Sequence, residues 1–84
     1  MSTARDFQRA DDAIVTLLSH WLTRTLGNDE LRHKIEQIGT DELAPAGRDA
    51  VDELLQELAA SAPGERGQLE VSVRETLETL VYGD

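Results

Sequence analysis

An 84-residue chain with seventeen acidic residues, eight basic ones and three aromatics has room for one modest core and carries a formal charge of −9. Apolar residues at 39% and charged ones at 30% exclude a disordered tail, and the lack of cysteine excludes a disulfide framework, a thiolate metal site and a cysteine nucleophile. The opening Met-Ser-Thr-Ala-Arg-Asp-Phe has no apolar core of a secretion signal and no apolar run reaches the length of a membrane span, so a cytoplasmic protein is expected.

The first predicted helix runs from about residue 3 to 26. Ser2 or Thr3 can cap its start, and Gly27 stands where a left-handed residue would end it. Asn28 then reads as the cap of a second helix over about 29–38, with Asp29 and Glu30 at the positive end of its dipole and Gly39 closing it. Pro45 lacks an amide hydrogen and disfavours helical geometry at Ala44, so the third helix is expected to start at Pro45 and end near Ser61, before Pro63-Gly64. The fourth spans about 66–82. Leu69, Val71 and Val73 alternate as a strand would, but a lone strand has no partner here, and Leu69, Val73, Leu77, Leu80 and Val81 fit helical spacing. The expected fold is all-α: one domain over residues 1–84, a compact bundle of four helices with a long first helix.

Laid out at about 100° per residue, the helices differ in what they offer. Val51, Leu54, Leu55 and Leu58 form one narrow stripe on the third helix, and Asp49, Asp52, Glu53 and Glu57 lie on its opposite, polar face. On the first helix, the apolar residues from Phe7 to Leu26 cover roughly 220°, well beyond the stripe one core needs. That breadth suggests a homodimer with Phe7, Ile14, Leu18, Trp21 and Leu22 at the interface. A central position in the bundle, surrounded by the other three helices, would also require it. Asp11 projects into this arc, where it is either solvated near a helix end or paired with an arginine.

Chemistry-bearing motifs are sparse. Glu30-Leu31-Arg32-His33 has the Glu-x-x-His spacing of helical carboxylate metal sites, yet only one copy exists and His33 points away from the Leu31/Ile35/Ile38 face. His20 and Ser19 are helical neighbours about 100° apart and do not form a nucleophile–base pair. The glycines form no phosphate loop, so neither an enzyme nor a cofactor is expected. A helix-turn-helix drawn around Gly39 would use the acidic third helix as its reader, which phosphates repel.

Charge narrows the class of partner. Residues 1–40 hold five basic and six acidic residues, while residues 41–84 hold three and eleven. This asymmetry is either an ordinary solubilising surface or the mark of a small interaction protein, an adaptor, regulator or accessory subunit, that presents Asp49, Asp52, Glu53 and Glu57 to a basic protein partner and contacts neither nucleic acid nor membrane directly. The alternative is an acidic decoy that mimics nucleic acid and blocks a basic protein; a carboxylate/His metal protein is a third, weaker reading. A single lysine among eight basic residues, with many alanines, suggests a GC-rich coding genome and a bacterial source.

Overall fold

The computed structural model describes residues 2–62 and 64–82, with side chains from Ala10 onward. Four helices, α1 (Ser2–Leu22), α2 (Asn28–Ile38), α3 (Pro45–Ala60) and α4 (Gly67–Tyr82), make up the architecture, and no strand occurs among the described residues. Each helix packs against its neighbours in sequence and α4 closes back onto α1, so the four backbones form a ring in which α1 and α3 face each other across the shared core. Successive helices run antiparallel. Asn28 reaches Ser61, Ala62 and Glu65 at one end, while Asp11 shares a small cavity with Ala44, Gly47, Thr79 and Leu80 at the other.

Helical spacing explains the core. Ala10, Ile14, Leu18 and Trp21 recur every three or four residues along α1 and meet Leu31 and Ile35 of α2, Val51, Leu54 and Leu58 of α3, and Leu69 and Val73 of α4. Leu17, Leu22, Leu55, Leu77 and Leu80 pack around them half-buried. The same pattern resolves the alternation in α4. Leu69 and Val73 are buried while Val71 is 54% exposed, whereas a strand would have put all three on one face.

Local chemistry sets the ends. Pro45 occupies the first turn of α3, where its missing amide costs nothing, and Gly39 ends α2 at φ 82°, ψ 169°, a region essentially reserved for glycine. The end of α1 departs from expectation. The helix stops at Leu22, and Arg24 rather than Gly27 takes the left-handed conformation, at φ 67°. The amide of Arg24 donates to Trp21 O and that of Thr25 to His20 O, the paired bonds of a Schellman turn. Gly27 is extended, at φ −86° and ψ 173°, and caps α2 instead. The early stop lets Leu26 turn back into the core, where helical continuation would have carried it past.

This arrangement takes three of the expected interface residues off the surface. Ile14, Leu18 and Trp21 are fully buried within one chain and Leu22 is half-buried, so they are consumed by the bundle's own core; the side chain of Phe7 lies outside the described residues. The broad arc has the backbones of α2 on one side and α4 on the other, with the side chains of α3 across the core.

Candidate docking surface

Of the four acidic residues singled out on α3, all are exposed, but they do not act as one set. Glu53 and Glu57 lie one turn apart on the side of α3 that faces α4. There they line a groove of about 130 Å³ together with Ala50, Leu54, Ser72, Glu75, Thr76 and Thr79. Asp49 and Asp52 do not line it; they sit toward the outer face of α3.

The groove has an apolar and hydroxyl floor and carboxylate walls. Thr76 is buried and donates to Ser72 O at 2.8 Å, and Thr79 donates to Glu75 O at 3.0 Å, so both hydroxyls are engaged by the helix's own carbonyls. Ser72 Oγ donates to Glu57 Oε1 at 2.5 Å and holds that carboxylate at the rim. No basic residue lines the groove, so three carboxylates, Glu53, Glu57 and Glu75, share one side of the bundle. Glu75 escapes recognition in the sequence because it stands with Glu78 in a helix crowded with acids. The antiparallel pairing of α3 with α4, forced by the short 61–66 connection, is the signal that would have placed it opposite Glu53.

The other residues with chemical potential are placed differently. Glu30 is exposed, and its Oε1 accepts from the Gly27 amide at 3.5 Å, one half of a capping box. His33 and His20 are exposed, and among the described residues no three His, Asp or Glu side chains are grouped so that they could hold a metal ion. On α2, Arg32 bonds Glu36 at 3.3 Å and approaches Asp29 at 4.0 Å, so its charge is partly neutralised. Asp11 is half-buried beside Asp12, and burial first, then the neighbouring charge, raises its carboxyl above the usual 3.8. No described helix is long and apolar enough to cross a membrane.

A second polar cluster, which the sequence did not suggest, is structural. Asn28 was expected to cap α2 but lies inside its first turn, nearly buried. Its Oδ1 accepts from Trp21 Nε1 at 2.8 Å and its Nδ2 donates to Glu65 O at 2.9 Å and Ala62 O at 3.3 Å. Arg66 stacks over the Trp21 ring at 4.1 Å and donates to Trp21 O and Leu26 O at 2.7 and 2.8 Å. Arg66 thus gives Trp21 O a second donor beside the Arg24 amide, binds Leu26 O in the turn that follows α1, and with Asn28 joins the helix ends on this side of the bundle. Comparison of the chain with protein-family models, characterised proteins and solved structures finds no match.

Proposed function

We propose that this chain is a small acidic interaction module that docks a basic segment of a partner protein at the α3/α4 groove. The observation that carries this reading is the wall of Glu53, Glu57 and Glu75 with no basic residue among the groove's lining. Each exposed ion pair contributes only about 0.2–1 kcal/mol, but several carboxylates fixed on two rigid helices act together on one cationic segment. The excess of eleven acids over three basic residues in residues 41–84 adds a field that speeds encounter and turns away acidic competitors. Cysteine-free composition fits the reducing cytoplasm as the setting.

The test compares two variants with the same change of charge. Glu53→Lys/Glu57→Lys reverses the groove, and Asp41→Lys/Glu42→Lys reverses two exposed acids in the α2–α3 connection. A partner captured from the source cell by the wild-type chain should be lost with the first variant, kept with the second, and released as salt rises. Equal retention or equal loss would refute the groove as the site. Displacement by added DNA would favour the decoy reading, in which the carboxylates stand in for phosphates.

A further inference from the structure

The outward stripe of α4 carries apolar residues where an amphipathic helix should be polar. Val71 is 54% exposed and Tyr82 is 77% exposed, and with Glu75 and Glu78 they lie within about 60° of one another on the side opposite Leu69, Val73 and Leu80. Single exposed apolar side chains are ordinary. Here two of them mark the two ends of one stripe, three turns and about 16 Å apart, with carboxylates between them. Glu75 belongs both to this stripe and to the groove wall, so the stripe and the Glu53/Glu57 rim form one continuous surface.

We propose, on the basis of the acidic docking reading above, that the occupant of this surface is a basic amphipathic helix of the partner, laid along α4. Its apolar residues cover Val71 and Tyr82, and its arginines or lysines meet Glu75 and Glu78 while further cations reach Glu53 and Glu57. Two α-helices share the same rise per residue, so the partner's contacts repeat the spacing of the stripe: apolar at i and i+11, basic at i+4 and i+7. That spacing reads the same in either direction and does not depend on helix polarity. A second copy of this chain is a poor occupant, because in either orientation it would set Glu75 and Glu78 against the same two carboxylates. Charge complementarity therefore selects a cationic helix over self-association.

Two labelled synthetic helical peptides of identical composition test the proposal by fluorescence anisotropy. One carries leucines at i and i+11 with arginines at i+4 and i+7; in the other the arginines are moved around the helix so that the stripe is broken. The wild-type chain should bind the striped peptide on the order of ten-fold more tightly, and Val71→Ser/Tyr82→Ser, checked for folding by circular dichroism, should weaken binding of the striped peptide. Equal binding of the two peptides, failure to bind either, or indifference to the serine variant overturns the proposal. If both peptides bind equally and both are lost with Glu53→Lys/Glu57→Lys, the helical stripe fails while the acidic groove stands. If the striped peptide keeps its preference and the lysine variant has no effect, the groove fails instead. A wild-type chain that sediments as a dimer, and as a monomer once Val71 and Tyr82 are serine, would assign the surface to self-association and also overturn the proposal.

Discussion

Replacing Asn28 by alanine should destabilise the fold by about 3 kcal/mol, a large share of the roughly 4–13 kcal/mol expected for a domain of this length. The estimate follows from what the side chain holds. Without Oδ1 the Trp21 Nε1–H is left in a fully buried ring without an acceptor, at about 1–3 kcal/mol. Loss of the bonds to Glu65 O and Ala62 O adds about 0.5–1.5 kcal/mol each, discounted because those carbonyls belong to exposed residues that water reaches. A loss of this size lowers the melting temperature by about 12–24 °C for a domain of this size. Urea unfolding followed by the fluorescence of the single tryptophan, with circular dichroism alongside, measures it. The midpoint should fall at constant slope, and the emission should shift as the indole loses its partner. Asn28→Asp provides a second arm: it keeps the acceptor for Trp21 but turns a carboxylate toward two carbonyls, so it should cost at least as much at neutral pH. A loss below about 1 kcal/mol for the alanine variant with unchanged emission would mean that water satisfies the indole, and the clamp reading would be refuted.

Arg66→Lys should lose about 1–2 kcal/mol, close to Arg66→Ala, because an ammonium cannot both span Trp21 O and Leu26 O and stack on the ring; a lysine variant within about 0.5 kcal/mol of wild type in urea would refute this. Gly39→Ala should cost about 1–3 kcal/mol, since its φ of 82° suits only glycine, whereas Gly27→Ala should cost well under that, since its φ is −86° and no atom lies within 4 Å of an added Cβ; paired thermal melts decide. The raised pKa of Asp11 means that its ionised form opposes folding at pH values above the folded-state pKa, a penalty that disappears as pH falls below the unfolded value near 3.8. Asp11→Asn should therefore raise the melting temperature modestly at pH 7 and leave it unchanged near pH 3; a stabilisation independent of pH would refute the assignment.

Helix boundaries were legible where a residue's own backbone chemistry decides them. Pro45 starts α3, Gly39 ends α2, and Leu69 with Val73 identifies α4 as a helix, all from local rules. The end of α1 was not legible, because glycine preference at position 27 lost to a turn held by tertiary contacts three residues earlier, at Arg24. A left-handed arginine at position 24 costs about 1–2 kcal/mol, and the turn is held at both sides by Arg66, 42 residues later, which binds Trp21 O and Leu26 O. The two ends of that contact share no local pattern. Asn28 illustrates the same point: its type suited a cap, but its role depends on Trp21 and on a connection more than thirty residues away.

The broad apolar arc of α1 shows why a helical wheel overstates sticky surface. The wheel counts Ala13, Val15 and Leu17 as equal to Ile14, whereas the bundle grades them. Ala10, Ile14, Leu18 and Trp21 form a stripe of ordinary width that is buried, and Ala13, Val15, Leu17 and Leu22 are half-buried shoulders toward the neighbouring helices. Leu26, which widened the arc on paper, has left the helix altogether. The residues with the strongest apolar signal in the sequence were therefore those least available to a partner. The large apolar side chains left exposed among the described residues are instead Ile38 on α2 and Val71, Val81 and Tyr82 on α4, and of these Val71 and Tyr82 share the outward stripe on which the docking proposal rests.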